Sequence, residues 1–440
     1  MMNYKEYFKG KKITVIGLGI LGRGVGDIKF LAEHGAVLTV TDLKTKEDLV
    51  SSLEQLKEYD ITYSLGGHKL DDFRSRDLII KAAGVPFDSP FIAEAEKNNI
   101  PVKMSTSLFA KFFPGTIIGV TGTRGKSTVT AMIYEILKAA GKKVFLGGNV
   151  KGVSTLAHLP KSTPDEIAVL ELDSWQLQGF GEEKISPHIA VFITFFPDHL
   201  NYYKGDLNAY LKDKSYIFSN QKENDFLILG SQCAGLIKDN YESKARVLIG
   251  DSKDLPSDWN LKILGEHNRY NATLAMLTVE SLNIDRAIVK SALESFSGVP
   301  GRLEFMKEIN GIKIYNDTTS TTPEATIAAL EALGNEEKKN IVLIFGGNDK
   351  GLNLTGLLDD LPRFCKKVFV VPGSGSDRLP TEIDGLGLER VRELKESLER
   401  SFKVANSGDI ILFSPAFTSF GQFKNEFDRG EKFVDLVNQL

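Results

Sequence analysis

The sequence predicts an α/β protein of three domains, each built on a mainly parallel sheet. Three observations lead to this prediction. The chain has 440 residues, which at about 150 residues per domain suits roughly three domains. Short apolar stretches typical of buried strands alternate with helical stretches along the whole chain. Clusters of turn-forming residues interrupt this alternation at 113–115 and at 297–301.

These interruptions divide the chain into domains at 1–112, 113–298 and 299–440. We expect the first and the third to be Rossmann-like α/β domains, and the second, because of the TGTRGKST turn described below, to be a P-loop-type ATPase domain. The stretches predicted as strands are KITVIG, AVLTVTD, DLIIKAAGVP, NIPVKM, GTIIGVTG, EIAVLELDS, HIAVFITFF, DFLILG, IKIYND, NIVLIFGGND, KKVFVVPG and DIILFSPA.

Composition narrows the class of protein. The chain is 42% hydrophobic and 25% charged, with a net charge of −4, which argues against a broad basic surface for nucleic acid. Cys233 and Cys365 lie far apart without metal-ligand spacing, so neither a disulfide nor a zinc site is expected. No stretch is long and apolar enough to span a membrane. We therefore expect a cytoplasmic protein with small-molecule partners.

A first glycine turn follows the first predicted strand. Gly17, Gly19 and Gly22 form a G-x-G-x-x-G pattern, and Asp42 lies at the end of the next strand. Glycines let a backbone approach a diphosphate, and a helix N-terminus attracts its charge. A turn that only connects a strand to a helix has the same pattern, so both interpretations stay open. The motif indicates a nucleotide or nucleotide-sugar site, without specifying a dehydrogenase.

A second glycine turn, TGTRGKST, opens the middle domain. The usual phosphate-loop spacing requires a glycine where this chain has Val120. Even so, a strand leads into the turn and a helix starts at Lys126, which can meet phosphate charge, while Ser127 or Thr128 can ligate Mg²⁺. The alternative is a simple turn with a solvent-facing lysine.

Polar groups also end two buried strands of the middle domain. Glu171 ends one of them, and Asp198 with His199 follows the other. Each could supply a metal ligand, and each could instead be a solvated strand end. The sequence alone does not indicate a role for Lys214, since a lysine on a helix usually lies on the solvated face.

The remaining candidates lie nearer the C-terminus. Asparagines at the start of a helix could cap it or contact a nucleobase. These residues, with a neighbouring histidine, are His267, Asn268 and Asn271. Ligands of parallel α/β sheets sit at the carboxyl ends of strands. The polar and charged residues after third-domain strands are Asp317, Lys350, Ser419 and Lys424.

Taken in order, these segments resemble Mur ligases, the ATP-dependent enzymes that add amino acids to the UDP-muramoyl peptide of bacterial cell walls. The resemblance spans nearly the whole chain. Its first domain and closing block are most similar to the ligases that add D-glutamate to UDP-N-acetylmuramoyl-L-alanine. The segments that carry it are TGTRGKST, LELDSWQL, PDHLNYY, GEHNRYNA, GRLEF, NDTTSTTPEAT, GGNDKG and SPAFTSFGQFKNEFDRG.

The resemblance implies amide formation through an acyl phosphate, with ATP, two Mg²⁺ ions and a carbamylated lysine at Lys214. It also implies a role for particular positions. The implied ATP-binding residues are Gly122, Thr123, Gly125, Lys126, Ser127, Thr128, Asn268, Asn271, Arg302 and Asp317. The implied metal ligands are Ser127, Glu171, His199 and Lys214. The implied catalytic residues are Lys126, Asn149, His199 and Lys214. The implied UDP-substrate contacts are Gly17, Gly19, Ile20, Leu21, Asp42 and Leu43. The implied amino-acid contacts are Thr321, Lys350 and Ser419.

The chain departs from the family pattern at four positions. These are Arg124 for the usual asparagine, Asp173 for a serine, Thr319 for a lysine, and Glu426 for an aromatic residue. The alternatives are a ligase of the same family with another amino acid, such as L-glutamate, or with another acceptor, and a non-catalytic nucleotide-binding protein. We expect a monomer.

Overall fold

The computed structural model describes residues 3–19, 22–150, 152–419, 423 and 425–440. That part of the chain contains 15 α-helices and 18 strands, and the strands form three sheets. The molecule divides into two compact units, Met1–Asp254 with Asn271–Ala292, and Leu255–Tyr270 with Leu293–Leu440. The first unit holds two of the sheets.

The first sheet has five parallel strands in the order β3-β2-β1-β4-β5. Strands β1, β2 and β4 are almost wholly buried, because their apolar and β-branched side chains pack on both faces. The strands are β1 Lys12–Ile16, β2 Val37–Asp42, β3 Ile61–Leu65, β4 Leu78–Lys81 and β5 Val102–Lys103. The helices are α1 Tyr4–Phe8, α2 Arg23–Glu33, α3 Val50–Glu54, α4 Pro90–Lys97 and α5 Ser105–Phe112.

The second sheet has six parallel strands in the order β11-β10-β9-β6-β8-β7. The strands are β6 Thr116–Thr121, β7 Val144–Gly148, β8 Ile167–Glu171, β9 Ile189–Phe192, β10 Phe226–Gly230 and β11 Arg246–Gly250. The helices are α6 Lys126–Ala139, α7 Ser174–Glu183, α8 Leu207–Ser215, α9 Ser231–Asn240, α10 Glu266–Glu280 and α11 Arg286–Ser295.

The third sheet has seven strands in the order β12-β13-β18-β14-β15-β17-β16. Its two edge strands run antiparallel to their neighbours and the other pairs are parallel. The strands are β12 Glu304–Ile309, β13 Ile312–Asn316, β14 Ile341–Phe345, β15 Cys365–Val370, β16 Glu382–Ile383, β17 Leu386–Arg390 and β18 Ile410–Phe413. The helices are α12 Pro323–Leu333, α13 Thr355–Phe364, α14 Leu394–Val404 and α15 Glu426–Asn438.

Three mainly parallel sheets confirm the predicted fold class. Six strands were not predicted: β3, β7, β11, β12, β16 and β17. All but β17 lie at the edge of a sheet. Edge strands are less buried than central ones, so they lack the continuous apolar run that marks a buried strand. In the described ranges, no helix is long and apolar enough to cross a membrane.

Candidate functional site

The first glycine turn is held by a carboxylate. Gly17 and Gly22 have φ of 91° and 83°, and α2 begins immediately after Gly22. The Gly19 N–H donates to Oδ2 of Asp42 at 3.0 Å, and the Lys44 N–H donates to Oδ1 of the same side chain at 2.9 Å. Asp42 therefore uses both carboxylate oxygens to shape the turn between β1 and α2.

Other expected UDP-substrate contacts stand beside this turn. Asp42 is buried, whereas the side chain of Leu43 is 70% exposed at the end of β2. Ile20 and Leu21 lie outside the described residues. An exposed apolar side chain next to a buried carboxylate suits a ligand with a flat ring and a ribose hydroxyl.

The second glycine turn also ends in a glycine with positive φ directly before a helix. Gly125 has φ of 86° and is the residue before α6, and Gly122 has φ of 155°. A side chain at Gly125 would not fit, because its Cβ would lie 2.6 Å from Oδ1 of Asn271. Lys126 folds back over the turn, where its Nζ donates to the carbonyls of Gly122 at 3.0 Å and Thr123 at 3.2 Å.

The segment after β9 accepts hydrogen bonds from the backbone of this turn. The Thr123 N–H donates to the Thr194 carbonyl at 2.8 Å, and the Arg124 N–H donates to the Thr194 hydroxyl at 2.9 Å. Ser127 and Thr128 occupy the first turn of α6, where the positive end of the helix dipole favours anions. A rigid turn that ends in a helix N-terminus can hold phosphate groups.

Lys214 does not lie on a solvated face. It is 1% exposed on α8, and its Nζ donates to the Gly122 carbonyl at 3.0 Å and to Oγ1 of Thr121 at 3.3 Å. Burial, with the nearby ammonium of Lys126, holds the pKa of Lys214 well below its ordinary value. The interpretation of Lys214 as a solvated helix residue is therefore wrong.

Glu171 and Asn149 meet at the ends of β8 and β7. The Asn149 Nδ2 lies 3.4 Å from Oε1 of Glu171, and the Asn149 N–H donates to the Glu171 carbonyl at 2.7 Å. Gly148 allows this approach, because a Cβ there would lie 2.1 Å from that carbonyl. Glu171 is 6% exposed, so it is a buried strand end and not a solvated one.

His199 takes a left-handed backbone conformation with φ of 52°. Its Nε2 lies 3.9 Å from Oδ2 of Asp198, which is also 3.3 Å from a guanidinium nitrogen of Arg124. Its ring packs on Trp175, with the centroids 4.7 Å apart. Within the described ranges, no three His, Cys, Asp or Glu side chains are grouped closely enough to hold a metal ion.

The second unit holds the other expected nucleotide contacts. Asp317, at the end of β13, accepts hydrogen bonds from the hydroxyls of Ser320 at 2.5 Å and Ser414 at 2.7 Å. Burial raises the pKa of Asp317 to about 6, although these hydrogen bonds and Arg302 oppose the shift. Asn268 is the third residue of α10 and donates from Nδ2 to the Leu264 carbonyl at 2.7 Å.

The expected amino-acid contacts also lie in this unit, beyond adjacent strands. Lys350 donates from Nζ to the hydroxyl of Thr321 at 3.2 Å. Both line a small pocket together with Ala416 and Phe417. Ser419 is 4% exposed, and its buried hydroxyl has no hydrogen-bond partner among the described residues. Lys424 lies outside the described residues.

Three of the four residues that depart from the family pattern have a defined place in the local structure. The Asp173 carboxylate caps α7, accepting from the Gln176 N–H at 2.7 Å. The Thr319 hydroxyl donates to the Gly301 carbonyl at 2.9 Å. Glu426 is the first residue of α15. None of these contacts by itself identifies a ligand.

Sequence reasoning missed Arg23. Its NH1 donates to Oδ1 of Asn149 at 2.9 Å, across 126 positions of the chain. An arginine in the first turn of a helix is ordinarily solvated, so no local pattern could have indicated this contact.

Comparison with known proteins bears on these sites. Residues 11–104 match the Mur ligase MurD-like N-terminal domain, residues 120–254 the Mur ligase middle domain, and residues 301–417 the Mur ligase glutamate ligase domain. UDP-N-acetylmuramoylalanine--D-glutamate ligase of Borreliella burgdorferi is 33% identical over 459 residues, covering 99% of both chains. The chain belongs to the Mur ligase family.

Other Mur ligases agree with this assignment. The Koribacter versatilis enzyme of the same name is 32% identical, covering 98% of both chains. The crystal structure of UDP-N-acetylmuramate-alanine ligase from Thermotoga maritima has the same fold, with a TM-score of 0.63, 21% identity, and coverage of 98% of this chain and 99% of that one. The resemblance inferred from the sequence is therefore confirmed.

Proposed function

We propose that this chain is an ATP-dependent ligase that joins D-glutamate to UDP-N-acetylmuramoyl-L-alanine in the synthesis of peptidoglycan precursors. The observation that carries the proposal is the end-to-end similarity to ligases named for this reaction, over 99% of the chain. The glycine turn at the start of α6 and the pocket lined by Lys350 also support the proposal.

In the first step, the acceptor carboxylate attacks the γ-phosphorus of ATP. The bond between that phosphorus and the bridging oxygen breaks, and the products are an acyl phosphate and ADP. Two anions approach each other in this step, so catalysis consists mainly of positioning and charge neutralisation. We assign the neutralising charge to Lys126, whose ammonium already lies over the turn. The N-terminus of α6 orients the phosphates.

The residues near this turn suit Mg²⁺. The hydroxyls of Ser127 and Thr128 and the carboxylate of Glu171 are oxygen donors, which hard cations prefer, and His199 can add a nitrogen. Two bound Mg²⁺ ions would neutralise charge on the phosphate and carboxylate oxygens. Mg²⁺ needs few protein ligands, because it keeps several waters and shares substrate phosphates.

We further propose that Lys214 is carbamylated. An amine attacks CO₂ only in its neutral form, and the lowered pKa favours that form. The ammonium first loses one proton, and the neutral nitrogen then bonds to the carbon of CO₂ and releases a second. A cation thus becomes an anion with two oxygen donors. An ammonium this close to Lys126 would instead oppose metal binding.

In the second step, the amine of D-glutamate attacks the acyl carbon, and phosphate leaves from the tetrahedral intermediate. We assign the grip on the incoming amino acid to Lys350, Thr321 and Ser419, since an ammonium and hydroxyls suit a carboxylate. We assign Asn149 and His199 to the acceptor side. Asn268, Asn271, Arg302 and Asp317 are assigned to the nucleoside and phosphates of ATP.

The proposal divides the chain into a UDP-substrate domain at 1–112, an ATP domain at 113–298 and an amino-acid domain at 299–440. Gly17, Gly19, Asp42 and Leu43 belong to the first of these sites. We propose that the partners of this chain are small molecules and that it acts as a cytoplasmic monomer.

A second candidate is a ligase of this family with another amino acid, such as L-glutamate. Thr319 favours it, because this position has a hydroxyl bonded to Gly301 in place of the usual lysine. Glu426 adds a further change from the pattern. Another acceptor remains the weaker alternative, given the full-length match to D-glutamate ligases.

Phosphate release tests the proposal. The protein is incubated with ATP, Mg²⁺ and UDP-N-acetylmuramoyl-L-alanine, alone and with a panel of amino acids that includes both glutamate enantiomers. We expect sustained release only with D-glutamate. Preference for L-glutamate would support the second candidate, and release without the UDP acceptor would contradict both.

A further inference from the structure

Arg23 links the glycine turn of the first sheet to the strand ends of the second. It is the first residue of α2, directly after Gly22. Its NH1 donates to Oδ1 of Asn149 at 2.9 Å, and Asn149 in turn faces Glu171. One side chain therefore connects the expected diphosphate site to a proposed metal ligand.

This contact decides which way the Asn149 amide points. A guanidinium only donates hydrogen bonds, so the amide oxygen must face Arg23. The amide NH₂ then faces Oε1 of Glu171, at 3.4 Å. In the flipped orientation, donors would face each other at Arg23 and acceptors would face each other at Glu171. Arg23 thus selects the amide orientation that can support the carboxylate.

A second contact holds the same helix to the same segment. One turn after Arg23, Oδ1 of Asp27 accepts a hydrogen bond from the Ser154 hydroxyl at 2.6 Å. Gly26 lies so close that a Cβ there would be 2.4 Å from the Ser154 Cβ. The start of α2 is therefore attached to the segment after β7 at both Asn149 and Ser154, and these parts should move together.

We propose that Arg23 is a positioning residue that orients Asn149, and through it Glu171, and so couples occupancy of the glycine turn to the metal site. The inference rests on the proposed function for the roles of Asn149 and Glu171. A ligand bound at the turn contacts the N-terminus of α2, and Arg23 transmits that constraint to Asn149. Partners of a ligating carboxylate commonly change metal affinity or activity by about 10- to 100-fold when removed.

Mn²⁺ binding tests this role independently of turnover. The affinity for Mn²⁺ is measured by electron paramagnetic resonance on the full-length protein with a non-hydrolysable ATP analogue and UDP-N-acetylmuramoyl-L-alanine present. We expect Arg23→Met to weaken Mn²⁺ binding by about tenfold or more. Arg23→Lys keeps a donor and should recover much of the loss. Unchanged Mn²⁺ affinity in Arg23→Met would overturn the proposal.

Two further variants separate positioning from general stability. Ser154→Ala breaks the other attachment of α2 and should leave Mn²⁺ affinity near native, even where the urea midpoint falls. In an Asn149→Ala background, Arg23→Met should have no further effect, because Arg23 acts through Asn149. Additive losses, or the same loss in Ser154→Ala, would contradict the role. Failure of the wild type to release phosphate would instead count against the proposed function.

Discussion

The two glycine turns of the first unit end in the same backbone conformation and differ in the charge placed around it. Gly22 and Gly125 have φ of 83° and 86° with ψ of −19° and −13°, and each begins the helix after a parallel strand. The first turn closes on the carboxylate of Asp42, whereas Lys126 and Lys214 donate to the second. Each turn therefore leads into a helix N-terminus, which favours anions, and the side chains around the two turns carry opposite charge.

The surroundings differ as much as the charges. The first turn is open at Gly19, where a Cβ would meet nothing within 4 Å, although a Cβ at Gly17 would lie 2.9 Å from the Ala82 Cβ. The second is enclosed, with Asn271 packed against Gly125 and a fully buried lysine beneath. An open turn with a carboxylate suits recognition of a nucleotide-sugar, and an enclosed basic turn suits phosphoryl transfer, which needs concentrated positive charge away from water.

The largest expected effect is at the basic turn. Lys214→Ala should lower ligase turnover by about a hundredfold to a thousandfold, because it removes a group that the proposed mechanism places where charge develops. Binding of the ATP analogue, through Lys126, should largely persist. Turnover and calorimetry on the same preparation check this.

Lys212→Ala is the matched control, since Lys212 is exposed on the same helix. Turnover of wild type should also fall when dissolved CO₂ is stripped and return with bicarbonate, and a small carboxylic acid should partly restore Lys214→Ala. Near-native turnover in Lys214→Ala would rule out the carbamate.

Alanine at the two glycines contrasts the enclosed and open turns. Gly125→Ala combines a left-handed φ with a Cβ 2.6 Å from Asn271, so we expect binding of the ATP analogue to weaken roughly 100-fold. Gly19→Ala has only the strain of its φ of 65°, and UDP-substrate binding should weaken by less than about tenfold. Equal losses would show that the two turns are equally enclosed.

Lys350 tests whether a separate site holds the amino acid. Lys350→Ala should raise the KM for D-glutamate by roughly 10- to 100-fold, the usual range for a lost charge-assisted hydrogen bond. The KM for ATP should change little. Lys338→Ala, at an exposed position of the same unit, is the control. An equal increase in both KM values would remove Lys350 from the amino-acid site.

The smallest expected effect is on the pH dependence of the free energy of unfolding, through a carboxyl group on α2. Burial raises the pKa of Asp27 on α2 from 3.8 to about 6, despite the hydrogen bond from Ser154. A raised carboxyl pKa contributes stability below the unfolded value, which is lost as pH rises through about 6. The free energy of unfolding should therefore fall between pH 4 and pH 7, by on the order of 1–2 kcal/mol from this group.

Asp27→Asn should lack this component, because a neutral amide oxygen can still accept from Ser154. Urea midpoints of both proteins at several pH values measure the difference. If the variant and the wild type change in parallel, Asp27 does not titrate in this range.

The sequence predicted the elements that have local signals. Buried strands have apolar runs, and glycine turns have fixed spacing, so both turns and the central strands were found. Lys214 was not, because α8 carries few apolar residues and its burial depends on Thr121 and Gly122, more than 90 positions away. Arg23 and Asn149 likewise meet only after folding. Only the resemblance could indicate Lys214, and nothing indicated Arg23.

Calorimetry on two variants tests most directly that one turn binds the UDP substrate and the other binds ATP. Wild type, Asp42→Asn and Lys126→Ala are titrated with UDP-N-acetylmuramoyl-L-alanine, a non-hydrolysable ATP analogue and NAD. Asp42→Asn places an amide donor against the N–H of Gly19 or Lys44, so it should weaken only the UDP substrate. Lys126→Ala should weaken only the ATP analogue. Tight NAD binding without UDP-substrate binding, or equal losses of both ligands in either variant, would contradict the account.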